Sequence, residues 1–146
     1  MAQDTPATSK VTAEELQTFF EAVFTGGGTM RQHVVSASDG EVVMRFDCGP
    51  RNLRPGGFIS GPTQMGLADS VAYAVVFTRA GITPMALTSN LSINFLRPCQ
   101  GETLEARGKL LKFGRAGVVV DVELRGSSSD KLSSHAVVTY VVPPSE

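Results

Sequence analysis

The sequence has little of several things that would mark other kinds of protein. Cysteine occurs only at Cys48 and Cys99, and histidine only at His33 and His135. Two cysteines are too few for a disulfide framework. They lack Cys-x-x-Cys spacing and the histidines lie far apart, so no metal is expected. A lone cysteine is more often a small buried hydrophobe than a reactive thiol. Basic charge is also scarce: 13 Lys and Arg stand against 14 Asp and Glu. That balance leaves no electrostatic footprint for nucleic acid. No basic cluster flanks an amphipathic run, which argues against a membrane surface. No apolar run reaches the roughly 18–20 residues of a membrane span. The polar start, Met1 to Lys10, has no apolar signal core, so the expected location is the cytoplasm. There is no internal repeat and no sign of a second domain. The 146 residues suffice for one hydrophobic core.

Residues 1–10 read as a disordered tail and residues 11–146 as one domain. Thr12 and Glu15 match a capping box, in which each side chain satisfies a free N–H at a helix start. Val11, Leu16, Phe19, Phe20, Val23 and Phe24 follow with helical spacing, and Gly26-Gly27-Gly28 ends the helix. His33 to Ser38 and Glu41 to Asp47 read as a hairpin around Ser38-Asp39-Gly40. Residues 48–60, rich in Gly, Pro and Asn, read as an irregular loop.

Gly61-Pro62 opens a second helix, because Pro at the first positions loses no hydrogen bond. Met65, Ala68, Ala72, Val75 and Val76 share one face, and Gly81 and Pro84 end the helix near Ala80. From Met85 to Phe95 apolar and polar residues alternate, with Thr88 on the polar side. Strands follow from Thr103 to about Lys112, from Val118 to Arg125, and from Lys131 to Val142. Tight turns make sequential strands antiparallel. One apolar helix on one face of such a sheet is an α+β layer architecture.

The stretch Ser60-Gly61-Pro62-Thr63-Gln64-Met65-Gly66-Leu67-Ala68-Asp69 resembles the opening of the central helix in phenylacetyl-CoA-type (PaaI-type) hotdog thioesterases. That family reads His-Gly-Gly, six residues ending in Leu-Ala or Leu-Val, then Asp. Asn90 to Pro98 ending in Arg-Pro, Gly101-Glu102, Gly114-Arg115 and Ala136-x-x-Thr139-Tyr140 are similar as well, so the likeness spans roughly residues 30–142. Here Ser60 replaces the family His and Pro62 the second Gly, and the loop over residues 52–57 is longer. The resemblance implies a hotdog fold, an antiparallel sheet wrapped around one long central helix. It also implies an acyl-CoA thioesterase with no cofactor, coenzyme A being part of the substrate.

Thioester hydrolysis needs a donor for the developing oxyanion and a nucleophile or activated water. A helix N-terminus offers free N–H groups. The resemblance gives the donor role to Gly61 and the carboxylate role to Asp69, either as nucleophile or, as favoured here, as base toward water. An Asp in an apolar helix costs free energy unless solvated or paired. The two residues stand about 12 Å apart along one helix, so both can act on one carbonyl only if a second subunit supplies one of them. A homodimer is thus expected, with a dimer of dimers beyond it. Thr88 aligns with a family hydroxyl that holds the water or carboxylate. Asn52 is a candidate for orienting the thioester, and Ser60 and Thr63 offer hydroxyls in place of the His. Arg97, Lys112 and Arg115 are candidates for the phosphates of coenzyme A, and Phe58, Met65 and Phe95 for the acyl slot. His33 and His135 are expected to be structural. Two other readings compete. A hotdog dehydratase would commonly need a His near the central helix, which is missing. A non-catalytic acyl-CoA or CoA-ligand binding protein would keep the fold without turnover.

Overall fold

The computed structural model describes residues 8–24 and 30–144. Most of the expected tail and the Gly26-Gly27-Gly28 stop lie outside them. Lys10 N–H donates to Thr78 O at 2.8 Å, which ties the chain to the core before the first helix, α1 (Ala13–Phe24). The capping box at its start is formed: Thr12 N–H donates to Glu15 Oε1 at 3.0 Å and Glu15 N–H to Thr12 Oγ1 at 3.1 Å.

The hairpin β1 (Gln32–Ser38) and β2 (Glu41–Asp47) turns at Asp39-Gly40. Gly40 takes φ +75°, a conformation that suits glycine in such turns. Arg79 clamps this turn to the end of the central helix through two bonds to Asp39, at 3.0 and 2.9 Å. The loop read as irregular over residues 48–60 is more ordered than expected. It holds a 3-10 turn (Pro50–Asn52) and a two-stranded ladder, β3 (Leu53–Arg54) with β4 (Phe58–Ile59). Gly56 and Gly57, both at positive φ, allow the tight reversal that brings those short strands together.

The central helix α2 (Gly61–Ala80) is followed by β5 (Leu87–Phe95), β6 (Thr103–Phe113), β7 (Val118–Gly126) and β8 (Ser134–Val141). The six long strands form one antiparallel sheet in the order β1-β2-β6-β7-β8-β5. Consecutive pairing holds from β6 to β8, but β5 does not pair with β6. It lies beyond β8 and forms an edge of the sheet. The sheet curls around α2, which is the hotdog fold. No described helix is long and apolar enough to cross a membrane.

The inward residues of β6, β7 and β8 alternate strictly. Leu104, Ala106, Val118, Val120, Val122, Leu124, Ala136 and Val138 are all buried against Leu67, Ala68, Val71, Ala72 and Val75 of α2. Gly108 lets the helix come close. A Cβ there would meet Val75 Cγ2 at 3.0 Å and Val71 Cγ1 at 3.3 Å. The far side of α2 is covered only toward its C-terminus, where Phe19 of α1 packs on Phe77 with centroids 5.2 Å apart and on Tyr73 at 6.0 Å. Met65 was expected on the buried face with Ala68 and Ala72. It is instead 40% exposed, because α1 does not reach that first part of the helix.

The alternation along β5 also departs from expectation. A bulge falls between Thr88 and Asn90, and an extra residue in one strand reverses the facing of those beyond it. Before the bulge, Ala86 and Thr88 face the helix side. After it, Leu91 and Ile93 do, packing against the core. Thr88 therefore lies on the inner side, not the polar outer side that strict alternation assigned to it. Leu87, on the outer side, is 68% exposed. Replacing Gly108 with Ala is expected to push α2 off the sheet and cost about 1–3 kcal/mol, the usual penalty of overpacking. Urea unfolding midpoints of the two proteins would measure it.

Candidate active site

Asp69 is half-buried on α2 where the helix meets the β8–β5 end of the sheet. Its Oδ1 accepts two hydrogen bonds, from Thr88 Oγ1 at 2.6 Å and from Tyr140 OH at 2.7 Å. The donors come together because Thr88 and Tyr140 are directly paired across β5 and β8, and the bulge turns Thr88 inward. Oδ2 has no partner among the described residues. The charge in the apolar helix is thus solvated on one oxygen by hydroxyls, which removes most of the cost of placing it there. Tyr140 is buried and stacks on Tyr73 with centroids 5.5 Å apart and planes 22° from parallel. Burial raises its phenol far above the ordinary tyrosine range. The Thr88 hydroxyl acts the other way, and Asp69 raises it further. Burial likewise raises Tyr73, whose hydroxyl donates to Pro84 O at 2.7 Å. A cavity of about 280 Å³ opens beside Asp69, walled by Phe20, Phe24, Tyr73, Pro84 and Leu87.

The other end of the site is built at the start of α2. Ser60 is the N-cap, and its Oγ accepts Thr63 N–H at 3.2 Å. Gln64 N–H bonds to Ser60 O at 3.2 Å, and Pro62 has no N–H. Of the first-turn donors, only the Gly61 N–H has no partner within the described chain. The surrounding loop is held by a polar chain. Gly49 N–H donates to Asn52 Oδ1 at 2.8 Å, Asn52 Nδ2 donates to Thr63 Oγ1 at 3.4 Å, and the Ser60 and Thr63 hydroxyls are 2.7 Å apart. Gly61 faces a second cavity of about 480 Å³ with Phe58, Phe95, Arg97 and Cys99. The ring of Phe95 crosses close over Gly61, its Cζ 3.3 Å from where a Cβ would stand.

The sequence model of the thioesterase superfamily matches residues 56–132, a span that holds Gly61, Asp69 and Thr88. The chain belongs to the thioesterase superfamily. Among solved structures, a candidate thioesterase of Silicibacter sp. TM1040 is 32% identical, with 96% of this chain and 95% of that one covered and a TM-score of 0.78. Zebrafish thioesterase superfamily member 2 shares the fold at 21% identity, with 91% and 99% covered and a TM-score of 0.79. A Streptococcus mutans protein bound to acetyl-CoA shares it at 24% identity, with 80% and 92% covered and a TM-score of 0.69. No curated protein matches the chain.

In this superfamily member the expected site residues fall into two groups, one at the start of α2 beside the Phe95 end of β5 and the other about two turns along α2 beside the Thr88 end of β5. Asp69 and Thr88 form one. Gly61, Ser60, Thr63, Asn52, Phe58, Phe95 and Arg97 gather at the other, with Met65 exposed on α2 between them. Arg97 donates to Leu132 O at 2.7 Å. Lys112 and Arg115 stand at the β6–β7 turn, at the Asp69 end, since Phe113 pairs with Val118, Val118 with Tyr140 and Tyr140 with Thr88. His33 and His135 are paired with carboxylates on the sheet, to Asp47 at 2.8 Å and Asp121 at 2.6 Å, away from both cavities. Among the described residues no cluster of His, Cys, Asp and Glu suits a metal.

Two residues went unnoticed in the sequence. Tyr140 sat in a family-like pattern without a role. Gln64 looked like any polar helix residue, yet it is 4% exposed, donates to Ile59 O at 3.1 Å and accepts from Ser134 Oγ at 2.7 Å. It thereby ties the start of α2 to β8. Cys48 is not built to react. Burial pushes its thiol up to about 11, with Cys99 and Asp47 adding and Arg31 opposing. At pH 8 roughly one part in a thousand is then thiolate, so native alkylation by iodoacetamide is expected about a hundredfold slower than for a free cysteine. Mass-spectrometric rates with and without denaturant would check it.

Proposed function

We propose that this protein hydrolyses acyl-CoA thioesters, with Asp69 of one subunit and the Gly61 N–H of another acting on the same carbonyl. The observation that carries the reading is the pairing of a carboxylate whose Oδ2 is open beside one cavity with a helix N-terminus whose remaining free N–H opens on another. Each supplies half of what the reaction needs. Within one chain the halves line different cavities.

A second copy resolves the separation. β5 is one of the two outer strands of the sheet, nine residues long, and carries Leu87 and Phe95 at 68% and 50% exposure. An unpaired edge of that length is a template for another strand. Antiparallel β5–β5 pairing about a two-fold axis brings the Thr88 end of one chain beside the Phe95 end of the next, and so Asp69 beside the partner's Gly61. The same operation brings Lys112 and Arg115 toward the partner's Arg97, a set of cations for the phosphates of coenzyme A. That the Streptococcus mutans neighbour binds acetyl-CoA supports a CoA thioester as ligand. Asp69 acts on water: Oδ2 takes a proton from the water as its oxygen attacks the carbonyl carbon, the oxyanion forms against the Gly61 N–H, and its collapse breaks the C–S bond, the CoA thiolate leaving with the proton that Asp69 returns.

Thiol release from short, medium and aromatic acyl-CoAs is expected for the wild type, with a fall of at least about a hundredfold in Asp69→Asn. No release from any of them would refute the reading. The shared site has its own test. Gly61→Pro removes the N–H, and Ser60 already has φ −67° and ψ 154°, the region a residue before proline prefers. Because the added ring meets Phe95, whose Cζ stands 3.3 Å from the Cβ position, the variant's melting temperature and dimerisation are compared with wild type before its activity is read. Each variant alone is expected to be inactive. Co-refolded, half of the dimers are mixed and carry one intact site of two, so about a quarter of wild-type activity returns. No recovery would place both groups in one chain's site.

A further inference from the structure

We propose that Tyr140 is a positioning residue for the reaction: with Thr88 it clamps Asp69 by Oδ1, so that Oδ2 alone is presented to water. This rests on Asp69 being the working carboxylate, and it adds a part that neither the family pattern nor the helix motif assigns.

Three features support it. Both hydroxyls land on the same oxygen, at 2.6 and 2.7 Å, whereas a carboxylate only needing solvation would share its donors between two oxygens. The donors sit on directly paired residues of neighbouring strands, so their convergence is set by the ladder and not by flexible side chains. Finally, the Tyr140 ring has little freedom. It is 4% exposed, stacked on Tyr73, and Tyr73 is itself pinned to Pro84 O. The hydroxyl also reaches Asp69 O at 3.1 Å, which keeps it over the helix backbone at this turn. Burial raises the phenol further above the neutral range, so at neutral pH it is a donor. A donor fixed before the reaction needs no reorganisation during it.

Tyr140→Phe keeps the stacked ring and deletes only the hydroxyl. The expected result is a kcat lower by about tenfold to a hundredfold, the worth of one hydrogen bond to a charged group, with KM within about twofold. Adding Thr88→Val should bring kcat down toward that of Asp69→Asn. A second readout does not depend on turnover. The chain has no Trp and two Tyr, so its near-ultraviolet emission comes from Tyr73 and Tyr140. A carboxylate that accepts a phenol's hydrogen bond quenches it, so Asp69→Asn should brighten the emission of the wild type and not that of Tyr140→Phe. Wild-type kcat in Tyr140→Phe with Asp69→Asn inactive would overturn the clamp and leave the thioesterase reading standing. A loss confined to melting temperature, or emission unmoved by Asp69→Asn, would also overturn it. Full activity of Asp69→Asn would sink both.

Discussion

The structure depends on the burial of α2 in the hollow of the sheet. A helix of this length surrounded by strands must be apolar on the side they cover, and Gly108 shows how tightly they meet it. That packing fixes where the helix lies along the sheet. It therefore also fixes which strand residues stand opposite Asp69, the one carboxylate α2 carries. A shift of one turn would move Asp69 about 5.4 Å and leave its charge against apolar side chains. The apolar contact and the polar site are thus one constraint: the wrap that buries Leu67, Ala68 and Val71 also delivers Thr88 and Tyr140 to the carboxylate.

The far face of α2 is clothed by α1 only around Tyr73 and Phe77, so the stretch with Met65 and Gly66 stays open. The first turn has spent its donors on Ser60 and kept the Gly61 N–H. The two ends of the site are consequently both formed within one chain yet cannot meet there. In the proposed dimer the open edge at β5 is what brings a second chain to the site.

Much of the fold was legible in the residues. The capping box at Thr12 and Glu15, the hairpin at Asp39-Gly40 and the strands after Thr103 follow local rules of capping, turn chemistry and alternation, and these decide local structure wherever packing agrees with them. The misjudged places are those where packing decides. Strict alternation put Thr88 on the outer face because a bulge has no signature in a run such as Thr88-Ser89-Asn90. Met65 was counted as core because helical periodicity reports a face and not whether a neighbour covers it. Gln64 gave no signal because a buried, doubly bonded amide reads in sequence like an exposed one.

The sequence by itself determined most element types and the apolar central helix, since each of these is set by neighbours within a few positions, while its resemblance to a known family pointed to Asp69 and Gly61 as the residues on which chemistry was expected. Only the tertiary structure decided that β5 closes the sheet beyond β8 rather than beside β6, that Tyr140 meets Asp69 from 71 positions away, and that one carboxylate oxygen is held while the other is open. Those outcomes arise from strand pairing and from the curl of the sheet around α2, where the competition among distant contacts, not local preference, sets which side chains touch.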